Sequence, residues 1–118
     1  MSFPSPASDY VEVGLNWNHY LIRHPASTFP MRMKGQSMEP LICENDYVIV
    51  DRSLNPKNGD IVVAIYQNEL ILKRFVKNHL GLFLKSENPQ FQTIPIQNCS
   101  DFELWGIVTF SIQQHRAQ

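Results

Sequence analysis

A chain of 118 residues has the length of one ordinary domain, and 43% apolar residues are enough to bury one core. Ten basic residues stand against eleven acidic ones, a net charge of −1. No basic stripe exists to neutralise a run of phosphates, which excludes tight, sequence-independent binding of naked nucleic acid by this chain alone. No run of about 18 apolar residues is present to span a bilayer.

The first eight residues, MSFPSPAS, hold two prolines and three serines and little to bury. They read as a flexible N-terminal arm over 1–8 ahead of a single domain over 9–118. This start has neither the charged nor the apolar part of a secretory signal. Cys43 and Cys99 are too few for a disulfide framework and lack metal-site spacing, although one bridge between them stays open. Together these features point to a cytoplasmic protein.

The best helix candidate runs from Asn16 to His24, with Asn16 as cap, Trp17, Tyr20 and Leu21 on one face, and Pro25 as its end. The period then becomes two: Phe29, Met31 and Met33 alternate with Pro30, Arg32 and Lys34, a half-buried strand at a sheet edge. Gly35-Gln36-Ser37-Met38-Glu39-Pro40 is a turn, and Asn45-Asp46 is another, leading into the β-prone Tyr47–Val50. Asn58-Gly59 introduces Ile61–Tyr66, and Gln67-Asn68 divides that run from Leu70–Val76, a hairpin pattern. Further short strands are predicted at 82–84, 93–96 and 104–112. The fold class is mainly β, one short N-terminal helix followed by six to eight strands without βαβ alternation.

Ser37 is the candidate nucleophile. It sits in a glycine-containing turn directly after a strand, a place that can expose a hydroxyl and aim neighbouring backbone N–H groups at a developing oxyanion. The nucleophile elbow G-x-S-x-G is excluded because position 39 is Glu, and S-x-x-K is excluded because position 40 is Pro. His19, His24, His79 and His115 are scattered, with no carboxylate at a telling spacing. Lys73 is the better base. It is in phase with Ile71 and Phe75, whereas Arg74 is in phase with Leu70, Leu72 and Val76. Both phases are apolar, so periodicity does not decide which cation points inward. Chemistry separates them: a desolvated lysine gives up its proton near neutrality and an arginine does not. An edge-strand lysine reaching to water is the competing reading. No P-loop, GxGxxG or zinc spacing occurs, so no cofactor and no metal are expected.

The stretch M-R-M-K-G-Q-S-M-E-P-L-I-C-E-N-D-Y-V-I-V-D, followed by G-D-I-V-V-A, E-L-I-L-K-R-F and D-F-E-L-W-G-I-V, resembles the LexA/UmuD family of self-cleaving Ser–Lys peptidases (peptidase S24-like). The resemblance covers nearly the whole chain. It implies Ser37 as nucleophile and Lys73 as general base, and a fold of coiled, mostly antiparallel sheets. Within the family the start F-P-S-P-A-S-D-Y-V-E looks like the processed UmuD′ type, an accessory subunit of an error-prone translesion DNA polymerase in the SOS response. That implies a homodimer, with a UmuC-type Y-family polymerase and the RecA–ssDNA filament as partners and no membrane association. Alternatives are the C-terminal self-cleaving domain of a LexA-like repressor, a type I signal-peptidase-like processing enzyme, and a non-catalytic β module. Asn45 stands where many relatives have Gly, a change that keeps the turn because Asn tolerates positive φ.

Overall fold

The structure, a computed structural model, describes residue 14 and residues 16–116; the arm expected over 1–8 lies outside the described residues. Asn16 does cap a helix, α1, its side chain accepting from the His19 N–H at 3.3 Å, but α1 covers only Trp17–Leu21. It ends before the expected His24 because none of its residues is buried, and so short a helix has no packing to carry it further. His24, ahead of proline, takes a non-helical backbone (φ −127°, ψ 80°), and Pro25 opens a 3-10 turn over Pro25–Ser27.

Seven strands follow: β1 Thr28–Arg32, β2 Tyr47–Asp51, β3 Ile61–Tyr66, β4 Glu69–Asn78, β5 Gly81–Lys85, β6 Ile94–Pro95 and β7 Phe102–Ile112. They form one antiparallel sheet in the order β1-β2-β7-β3-β4-β5-β6. The mainly β class with one short helix holds. Pro30 lies in edge strand β1, where a missing N–H is harmless. The β3–β4 hairpin turns on Gln67 and Asn68, both at positive φ (52° and 66°), the backbone of a two-residue turn matched to strand twist. Asn45 also takes a positive φ, 75°, as its turn requires.

Both faces of the sheet are covered. Met33, Met38, Ile42, Val48, Val50, Val63 and Leu72 pack as one buried cluster, while Val62, Ala64, Phe75, Leu84, Ile96 and Ile107 pack as another. Val62 and Val63 are neighbours in sequence yet join different clusters, since adjacent strand residues face opposite ways. This explains why β3 reads as an unbroken apolar run and not as an alternation.

Strand β7 runs between β2 and β3 and carries an irregularity against each. Thr109 is skipped in the register with β2 and Trp105 in the register with β3. Such bulges bend a sheet and increase its twist. The result is that β1 and β4, separated by three strands in the sheet order, line one cleft. No helix among the described residues is long and apolar enough to cross a membrane.

Candidate active site

The turn that carries Ser37 is pinned at both ends. Met33 extends the β1–β2 pairing, its N–H donating to the Asp46 carbonyl and its carbonyl accepting from the Asn45 N–H, each at 2.8 Å. Gly35 follows at φ 89°, a conformation that side-chain-bearing residues rarely adopt, and its N–H donates to Glu44 Oε2 at 2.9 Å. The chain then folds over itself, with the Glu39 N–H donating to the Gln36 carbonyl at 3.2 Å and the Ile42 N–H to the Met38 carbonyl at 2.9 Å. Met38 is 0% and Ile42 1% exposed, so the turn is held down by apolar anchors on either side of Pro40. Ser37 stays half-buried at the surface of that anchor. Its backbone N–H and that of Met38 donate to no acceptor among the described residues.

Lys73 is held differently. It pairs with Val62 across β3 and is only 7% exposed. Loss of hydration disfavours its ammonium form and lowers its pKa from the ordinary lysine value. Its Nζ donates to Ser86 Oγ at 2.7 Å, and the Phe91 ring lies with its centroid 5.4 Å from Nζ. Arg74 turns to the other face, where it binds the Glu87 carboxylate and the Gly59 carbonyl. Of the two cations whose orientation periodicity left open, Lys73 is the buried one.

Ser37 and Lys73 line the same cleft, about 350 Å³ in volume, bounded by Met31–Lys34 on one side and Glu69–Lys73 on the other. Among the described residues no hydrogen bond joins the two side chains; the lysine's partner is Ser86. One edge of β4 is paired with β3 from Glu69 to Arg74, and β5 pairs with the other only from Arg74 onward. Over residues 69–73 the other edge of β4 has no strand partner among the described residues. The cleft therefore offers unpaired backbone beside an apolar floor that includes Met33, Val48, Val63 and Leu72.

The loop after β5 also meets the Ser37 turn. The Asn88 N–H donates to the Ser37 carbonyl at 3.0 Å, and Asn88 Nδ2 donates to the Gln36 carbonyl at 3.1 Å. Sequence reasoning found neither Ser86 nor Asn88, because a polar loop after a strand carries no pattern that marks it.

It also missed one histidine–carboxylate pair. His24 Nδ1 lies 2.6 Å from Asp51 Oδ2, and Asp51 Oδ1 accepts from Ser27 Oγ, Ser53 Oγ and the Ser53 N–H. Burial alone pushes the Asp51 pKa up, but these hydrogen bonds prevail and hold it well below the usual carboxylate range. The pair sits at the Thr28–Asp51 end of the β1–β2 ladder, opposite the Arg32–Tyr47 end that leads to Ser37, and lines another cleft. His24 is thus no base for Ser37. No group of three metal-ligating side chains occurs among the described residues, and both cysteines are free.

Comparison with known proteins agrees with this architecture. Residues 1–109 match the Peptidase S24-like family. The chain is 38% identical to Protein MucA of Escherichia coli over 115 residues, 96% of this chain and 78% of MucA. It is 40% identical to Protein ImpA of Shigella flexneri over 116 residues, 97% of this chain and 78% of ImpA. The LexA repressor of Clostridium perfringens is 32% identical over 93 residues, 78% of this chain and 44% of the repressor. With nearly the whole chain matched and the strands, turn and cleft in place, this protein belongs to the peptidase S24-like family.

Proposed function

We propose that this chain is a serine endopeptidase in which Ser37 is the nucleophile and Lys73 its general base. The observation that carries the reading is the cleft itself, which a serine on an anchored turn and a buried lysine both line beside an unpaired strand edge. Neutral Lys73 takes the Ser37 hydroxyl proton as Oγ attacks the scissile carbonyl. The proton passes to the leaving amine, and water then hydrolyses the acyl-enzyme with the lysine acting again as base. The backbone N–H groups of Ser37 and Met38, which lack acceptors among the described residues, receive the oxyanion. The substrate is an extended segment, an N-terminal arm of this chain or of a second copy, laid against the 69–73 edge of β4.

In the cell we place this chain in the cytoplasm as an SOS mutagenesis protein. It acts as a homodimeric accessory subunit of an error-prone, UmuC-type polymerase, with the RecA–ssDNA filament promoting cleavage. The likeness to MucA and ImpA, 38% and 40% identical over 96% and 97% of this chain, supports this over a repressor fragment, since LexA is 32% identical over 78% of it.

The test is cleavage in trans of full-length MucA in which the residue aligned with Ser37 has been changed to alanine, so that it does not cut itself. A single cut by the wild-type chain is expected, lost with Ser37→Ala and with Lys73→Ala. Cleavage that survives both substitutions would refute the assignment.

A further inference from the structure

We propose that Ser86, Glu87 and Asn88 act as one positioning clamp that sets the base against the nucleophile, with Ser86 aiming the Lys73 amine. The proposal rests on the Ser37–Lys73 reading above. Three consecutive residues make three separate attachments: Ser86 to Lys73 Nζ, Glu87 to Arg74, and Asn88 to the carbonyls of Gln36 and Ser37. The first two anchor points are adjacent on β4, on its opposite faces. The third is the nucleophile turn itself. The clamp starts from a fixed origin, because Lys85 is the last β5 residue and pairs with Arg74. It is also knitted internally, with the Gln90 N–H donating to Asn88 Oδ1 at 3.0 Å and the Phe91 N–H to the Asn88 carbonyl at 3.1 Å.

The chemistry explains why a hydroxyl suits the position. A neutral amine has two N–H bonds and one lone pair. With one N–H directed to Ser86 Oγ and the Phe91 ring beside the nitrogen, fewer orientations of the lone pair remain, and the cleft lined by Ser37 is the open side. A carboxylate in place of Ser86 would orient the amine equally well but would hold it protonated. A serine orients without adding charge. Asn88 does the corresponding work for the other partner by fixing the two carbonyls that frame Ser37.

The experiment follows the rate at which a fluorescent fluorophosphonate ester labels Ser37, as a function of probe concentration and pH. Ser37→Ala and Lys73→Ala serve as controls, and melting temperatures confirm folding. Ser86→Ala is expected to lower the maximal labelling rate roughly tenfold to a hundredfold, with the half-saturating probe concentration unchanged. Ser86→Thr, which restores a hydroxyl, is expected to recover most of that loss. Ser86→Asp is expected to move the acid limb of the rate profile to higher pH. Wild-type rates and an unchanged profile in folded Ser86→Ala would overturn the clamp while leaving the dyad standing. Wild-type labelling in Lys73→Ala would instead overturn the dyad, and the clamp with it.

Discussion

Lys73 and Asp51 are both buried charged-type side chains, 7% and 4% exposed, and their surroundings treat them in opposite ways. Around Lys73 there is a hydroxyl and an aromatic ring but no carboxylate bound to Nζ, so desolvation favours the neutral amine. Lys73→Arg keeps the charge and length of the side chain but fixes the proton, since a guanidinium does not deprotonate in this range. It is expected to reduce cleavage by about 10²–10⁴-fold, the usual contribution of a general base, and to lower the melting temperature, because the site desolvates a charge that no carboxylate pairs. Asp51 by contrast is surrounded by donors, and its folded pKa lies below its unfolded value of about 3.9. A group of that kind contributes stability that is complete above the unfolded pKa and is lost as pH falls below that value and through the folded pKa. Urea unfolding of the wild type is expected to weaken progressively from pH 5 to pH 2, and Asp51→Asn to weaken less over the same window. At neutral pH, Asp51→Ala is expected to cost about 1–3 kcal/mol, because Ser27, Ser53 and His24 lose a buried acceptor.

Among the elements, the β3–β4 hairpin was the most legible in the sequence and the faces of β4 the least. Two β-prone runs parted by Gln67-Asn68 leave room for one connection only, and the register Tyr66 to Glu69 closes it. Neither turn residue is glycine although both take positive φ. Replacing the pair with Asn-Gly is expected to stabilise the protein by about 1 kcal/mol, read as a higher melting temperature. The orientation of β4 was not legible because both faces of the sheet are covered, so Lys73 and Arg74 each have apolar neighbours in phase. The helix was overextended for a related reason: its Trp17, Tyr20 and Leu21 spacing is sound, but Trp17 remains 60% exposed and no core supports further turns. In β7 the backbone of Gly106 passes so close to β2 that a methyl group there would lie 2.6 Å from Val50 Cγ1. Gly106→Ala is therefore expected to destabilise by about 1–3 kcal/mol, measured by urea unfolding.

Across the whole molecule, the site depends on contacts between parts distant in sequence. Ser37 and Lys73 were legible as residue types with the right chemistry, but the cleft exists because a bent sheet brings β1 toward β4. The His24–Asp51 pair was hidden for the same reason, since its partners lie 27 residues apart and meet only through the β1–β2 pairing. The Ser37 turn is continuous with the core through Met38, one of its most deeply buried side chains. Whether the fold delivers a working base comes down to the charge on one of five lysines. Lysine labelled with ¹³C at Cε, with the Lys73 resonance assigned by its loss in Lys73→Arg, reports that charge directly by NMR. Lys73 is expected to titrate below the ordinary lysine value of about 10.4, with the rate of Ser37 labelling rising through the same midpoint. Titration at or above that value, or a labelling rate that ignores it, would contradict the assignment of Lys73 as the base.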